Sequence, residues 1–468
     1  MTAARVLRAA VVLATAACHP ERPTPPPDLP AVGGQVSLLR FPREGGPVQA
    51  FDPDSLGDPT WTSLGPVPPL RRVLGTDLGD RVAWAIDATG VPVSVDLEAR
   101  STRKLPGQGA GAAVVGPDGS LYFSGLNRRV VRVARRTPVE FHDTLPETPR
   151  ALFGATNDLL VAVTGGRRPR LVTSNAEQIV YSTVIPPGEV AASYWGDLLA
   201  VAADSVVLLY ETLGRRPVGT IRSTHHAREV AFSPSAHRLF VAGDDSNVLI
   251  YDRFSLQQVG RIELPGVPRD IRLSASGRWF LAHPAIDSVW VVDLSTNQPV
   301  GAVAGEWGAD LPLVAGASTL VVRRGKEVAS FDLRQVPPRQ IGSVRGGGED
   351  LWLAASWVPR ERMTAAVAKV ESASVAQDSA LVLDSSRVTA DSTLIYLQVS
   401  TSQNRDWSED LAKQLKQGGF TASVIERQGE EEGYRVVVGP YPSEEDAVEA
   451  GRKLGRPYFV LRLPGRRP

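Results

Sequence analysis

The chain has 468 residues, with 51 basic and 51 acidic side chains, so its formal net charge is zero. That balance excludes the overall basic excess expected of a nucleic-acid-binding protein, and the length is too great for one ordinary core. The 43 glycines and 37 prolines suit a turn-rich β architecture, and the single cysteine excludes an internal disulfide.

In chain order, Arg5 and Arg8 precede a largely apolar run from Ala9 to Ala17 that ends in "TAAC". This run is far shorter than the ~20 residues needed to cross a bilayer core, so residues 1–17 read as an export signal. With small residues directly before Cys18, the segment resembles a bacterial lipoprotein signal. The resemblance implies that Cys18 is the lipidated N-terminus of the mature chain. The plainer alternative is an ordinary signal peptide with an incidental cysteine, and the placement of the sole cysteine here favours lipidation. His19 is not the aspartate that would signal retention in the inner membrane, so the expected location is the outer membrane, facing the periplasm. Residues 18–34 include "PTPPPDLP" and form a proline-rich tether that would run extended as a stiff spacer.

Residues 35–358 carry a repeat. "VVLLYETLGRRPVGTI" from Val206, "NVLIYDRFSLQQVGRI" from Asn247 and "SVWVVDLSTNQPVGAV" from Ser288 align without a gap, 41 residues apart. Each places an alternating apolar run before an aromatic or apolar residue and a carboxylate, then a polar turn, then Val-Gly and a second apolar run. Two strands joined by a turn is the economical reading. A period of about 40 residues without helix belongs to a β-propeller, one four-stranded blade per repeat. The same strand end recurs at Asp96, Val133, Val172 and Asp332, which gives seven blades. "QVSLLRF" from Gln35 and "DLWLAASWV" from Asp350 are left over at the two ends and could pair as an eighth, composite blade, because ring closure removes exposed sheet edges. "VAFSPSAHRLFVAGDDSNVLIYD" from Val230 resembles the repeats of YVTN-type and WD-repeat propellers. That resemblance covers roughly Trp61 to Arg345 and implies architecture, not ligand.

Several constellations within the ring invite chemistry. His225-His226 has no partner at a metal-ligand spacing and is expected in a connection entering a blade. Asp244-Asp245 lies in a tight turn, and Asp96, Asp252, Asp293 and Asp332 recur with the repeat, which marks a structural role. "GQGAG" from Gly107 imitates a phosphate loop but is followed by no helix. The ring is therefore expected to be a non-catalytic interaction platform without metal or cofactor. The alternative is a propeller enzyme, resembling lactonases or quinoproteins, with ligands contributed by several blades.

Residues 359–393 are rich in Ala, Ser and charge and read as a linker. Over residues 394–464 the signals alternate as strand, helix, strand, strand, helix, strand, a small α+β βαββαβ unit of ferredoxin-like type. Ser408 and Ser443 are expected as N-caps, with Gly418 and Gly455 as stops. "YLQVSTSQNRDWSEDLAKQLKQGGFTASVIE" and "YRVVVGPYPSEEDAVEAGRKL" resemble the sporulation-related repeat, the SPOR domain. The resemblance implies binding to septal peptidoglycan glycan strands. It implies contacts from Gln398 and Arg435, with Thr401 matching a serine of the family, while Gly433 stands where an aromatic is common. Strand alternation places Gln398 and Arg435 together on the exposed face, opposite Leu397, Val399, Val436 and Val438. The whole chain reads as a cell-envelope lipoprotein that bridges membrane and wall, with an unknown protein partner on the ring and no nucleic acid.

Overall fold

The computed structural model describes residues 36–77, 81–105, 111–134, 137–155, 159–212, 216–284, 287–357, 359, 393–402, 405–427, 433–443, 446–447, 450–451, 454 and 458–464. Among these, eight antiparallel sheets form a propeller, and a ninth belongs to the C-terminal domain. Cys18 and the proline-rich tether lie outside the described residues, as do all of "GQGAG" but Gly111 and nearly all of the linker.

Blade one shows the pattern: Leu70–Thr76, Val82–Asp87, Pro92–Asp96 and Ser101–Lys104 pair in chain order. Its inner strand neighbours that of blade two, Ala112–Val115, which in turn neighbours that of blade three, Pro149–Gly154. Each second strand is sandwiched between adjoining blades and is mostly buried on both faces, whereas third strands such as Arg129–Ala134 are only partly buried. Val82–Asp87 and Leu160–Thr164 are buried along their whole length. Outer strands such as Arg339–Arg345 face water and are nowhere buried. Blade four departs from the pattern. Leu198–Glu211 runs unbroken through the place of the usual turn, pairing Glu189–Ala192 with its first half and Arg216–Ala227 with its second.

The seven repeats are joined by the eighth, composite blade that the two leftover strands allowed. Ser37–Phe41 pairs with Leu351–Ala355, Leu39 opposite Leu353, and the sheet continues through Gly46–Phe51 and Trp61–Val67. Both leftover strands are thus used in the composite blade. It is tied to blade seven by Arg323, whose Nη2 donates to Asp310 Oδ2 and to the Asp350 carbonyl, each at 2.9 Å. The Trp352 amide donates to Asp310 Oδ2 at 2.9 Å.

The periodic carboxylates cap turns. Asp252 accepts from the amides of Phe254 and Ser255, and Asp293 from the amide and hydroxyl of Ser295. Burial alone would raise the Asp252 carboxyl, but these hydrogen bonds outweigh it and hold it below the usual range. This explains why the carboxylate recurs: the blades that carry it share the same turn.

The C-terminal sheet has the order Ala422–Arg427, Gly433–Tyr441, Thr393–Ser402, Phe459–Pro464, as the ferredoxin-like reading requires. The helix Arg405–Gln417 buries Leu411, Ala412 and Leu415 against Leu397, Val436 and Val438. It begins before Ser408, which is fully buried inside its first turn rather than capping it. Gly419, not Gly418, takes the positive φ of +87° after the helix. Ser443 does cap, its hydroxyl accepting from the Asp446 amide at 3.1 Å. Gly455 lies outside the described residues.

Candidate functional site: the face of the C-terminal sheet

Residues 433–441 form a central strand, so their alternate side chains face opposite ways. Val436 and Val438 join the core beneath the helix, which leaves Arg435 and Val437 on the other face. Gln398 pairs with Val437, and position 401 pairs with Arg435. The three expected contact positions therefore share one face, with Thr401 directly across from Arg435 and Gln398 diagonal to it. Simple alternation would have put Ser400 there. A bulge between Gln398 and Ser400 adds Val399 as an extra residue opposite Val437, so Ser400 registers with Val436 and position 401 returns to the Gln398 face.

The expected exposure of Gln398 is corrected. Only 6% of its surface is accessible, and Val437 beside it is fully buried. Gln398 Nε2 lies 3.3 Å from Nε2 of His237, in the turn that leads out of the inner strand of blade five. Trp195, in the equivalent turn of blade four, donates its indole N–H to the Val399 carbonyl at 3.4 Å and packs within the C-terminal apolar cluster. Arg435 is half-buried.

The ring supports this patch from below. Buried Arg253 pairs with Asp197 at 3.6 Å and lies over the Phe254 ring, which meets His237 edge-on at 5.8 Å between centroids. Burial pushes the Arg253 guanidinium down, and Asp197 and Glu211 oppose that shift. Neither Trp195 nor His237 was signalled as functional by the sequence. Their only mark is membership of the turns "YWGD" and "SPSAH".

At the other end of the blade-five inner strand is a cavity of about 480 Å³ lined by Arg228, Glu229, Val267, Pro268, Arg269 and Pro284. Burial, with Glu189 and Asp270 nearby, pushes the Glu229 carboxyl up to about 7. His225 and His226 are not in a connection, as expected from the repeat, but in the strand Arg216–Ala227. Their Nδ1 atoms meet Asp245 at 2.6 Å and Asp204 at 2.5 Å, and the hydrogen bond to Asp204 raises the His226 pKa. Among the described residues, no three His, Cys, Asp or Glu side chains are grouped so as to hold a metal. No helix among them is long and apolar enough to cross a membrane.

Residues 391–460 match the SPOR domain family. They form a SPOR domain. A SPOR domain implies peptidoglycan binding and a cell-envelope setting. No curated protein matches the sequence. The chain is similar in fold to apo AztD from Citrobacter koseri, at a TM-score of 0.51 and 13% identity over 69% of this chain and 99% of that one. A second Citrobacter koseri AztD structure gives 0.51 and 13% over 68% and 97%. Dihydro-heme d1 dehydrogenase NirN in complex with DHE gives 0.47 and 12% over 67% and 76%.

Proposed function

We propose that the protein is a non-catalytic envelope lipoprotein whose SPOR domain binds peptidoglycan glycan strands through the face of Gln398, Thr401 and Arg435. The observation that supports this reading is the register that brings position 401 opposite Arg435 and Gln398 diagonal to it, on the face away from the helix. An amide and a guanidinium are suitable donors for sugar hydroxyl oxygens and N-acetyl carbonyls. The propeller acts as a platform for a protein partner. A lipid on Cys18 holds the chain at the outer membrane, facing the periplasm, and this part of the reading rests on "TAAC" and His19 alone.

The test is co-sedimentation of the full chain with amidase-treated sacculi. Arg435→Ala should weaken binding about tenfold or more, because a hydrogen bond from a charged donor contributes roughly 1.5–3 kcal/mol. Circular dichroism should show the fold intact. Unaltered sedimentation by a folded Arg435→Ala protein removes this face as the glycan site.

A further inference from the structure

In an isolated ferredoxin-like unit, helices cover one face of the sheet and the other is open. Here the second face is not open. Gln398 and Val437, paired across the two central strands, are both buried, and the groups that reach this part of the sheet come from the propeller. His237 Nε2 is 3.3 Å from Gln398 Nε2, and the Trp195 indole N–H is spent on the backbone of the same strand.

The use of Trp195 differs from that of Trp84 and Trp279. Trp84 donates to the Gly119 carbonyl and Trp279 to the Ala317 carbonyl, each in the corresponding turn of the next blade. Those bonds hold the ring together. Trp195 instead donates out of the ring, although it is 99% buried, its accessibility being 1%. It packs within the core cluster of the C-terminal domain and edge-on against Tyr194 of its own turn. The underlying Arg253–Asp197 pair and Phe254 fix the turn that carries His237, through the hydrogen bond from the Arg253 amide to the His237 carbonyl at 3.1 Å.

We infer that the turn face of blades four and five is a docking surface for the SPOR sheet and competes with glycan for it. The inference rests on the proposed glycan role of the Gln398 face. A glycan strand cannot reach the Gln398 amide while His237 and Trp195 occupy its surroundings, so the docked form is the closed form. The apparent affinity for glycan is then the intrinsic affinity reduced by the fraction of chains that are undocked.

The experiment compares the full chain with its Trp195→Ala and His237→Ala variants in sedimentation with amidase-treated sacculi, with Arg435→Ala as reference. His237 is half-buried at a turn, so its replacement keeps the test alive where loss of Trp195 disturbs the blade. His237→Ala removes the contact to Gln398 and should raise apparent affinity about fivefold. Trp195→Ala removes apolar contact as well and should raise it about tenfold or more. Soluble glycan strands stripped of peptides should also speed amide exchange in residues 193–198 and 233–238 of the unaltered chain. If both variants are folded and bind no more tightly while Arg435→Ala loses binding, the cover is refuted and the glycan face stands. If Arg435→Ala also binds as before, the glycan reading itself has failed and the inference falls with it.

Discussion

The composite blade makes ring closure depend on one buried charge network, and replacing Arg323 with Met tests that dependence. The Arg323 and Asp310 side chains are each 11% accessible and lie 2.9 Å apart. Arg323 also donates to the Asp350 carbonyl, and Asp310 accepts from the Trp352 amide, so the pair joins blade seven to the closing blade. An exposed pair would contribute ~0–1 kcal/mol. Removing one partner of a buried pair leaves an uncompensated charge and costs about 3–5 kcal/mol. Methionine keeps much of the arginine stem volume, so the loss reports charge and hydrogen bonding rather than a cavity. Equilibrium urea unfolding followed by tryptophan fluorescence should show a lower midpoint for Arg323→Met. The Asp310→Asn/Arg323→Met double variant should recover part of the loss, because it retains an acceptor for the Trp352 amide and carries no stranded carboxylate. A loss below about 1 kcal/mol for the single variant would place the pair in the surface class and refute the reasoning. So would a double variant no more stable than the single one.

Two further outcomes are expected. Glu229 is pushed up from 4.5 to about 7, so between those values the folded chain keeps a proton that the unfolded chain has lost. Its favourable contribution is complete below 4.5 and is lost as pH rises through about 7. Glu229→Gln should therefore match the unaltered protein near pH 4 and exceed its stability at pH 8 by about 1–2 kcal/mol, after discounting for partial exposure. Equal urea midpoints at pH 8 would contradict this. Cys18→Ser should abolish metabolic palmitate labelling and release the chain from membranes, since each buried methylene of an acyl chain contributes ~0.8 kcal/mol to attachment. Persistent labelling would show that the lipid is elsewhere.

The ring was legible because several blades repeat one turn chemistry, in which the carboxylates Asp96, Asp252, Asp293 and Asp332 cap the turn after the third strand. The composite blade was harder to count because its strands come from opposite ends of the chain. Its own mark was present: Phe51-Asp52 repeats the aromatic-carboxylate pair, and Asp52 accepts from the Asp54 amide as its counterparts do. In the C-terminal domain the helix was readable from its apolar spacing, but its start was not. Ser408 has the residue type of a cap and the burial of a core position. The bulge at Val399 depends on the partner strand, so no reading of Thr393–Ser402 alone would show that position 401 and not Ser400 faces Arg435. The burial of Gln398 was least accessible of all. It depends on His237, 161 residues earlier, and accompanies the contact of Trp195, 204 residues before Val399.

That long-range contact changes what a platform role would mean. If the turn face of blades four and five binds the SPOR sheet, a protein partner that takes the same turns must displace the sheet and expose the Gln398 face. Linkage then makes the effect reciprocal: the factor by which such a partner raises glycan affinity equals the factor by which glycan raises affinity for the partner. A partner seated at the opposite rim, near the Glu229 cavity, touches neither Trp195 nor His237 and has no differential contact with the docked and undocked forms. Such a partner would bind without altering glycan affinity, however tightly it bound. The position of a partner's footprint relative to Trp195 therefore decides whether the propeller merely carries the SPOR domain or controls it.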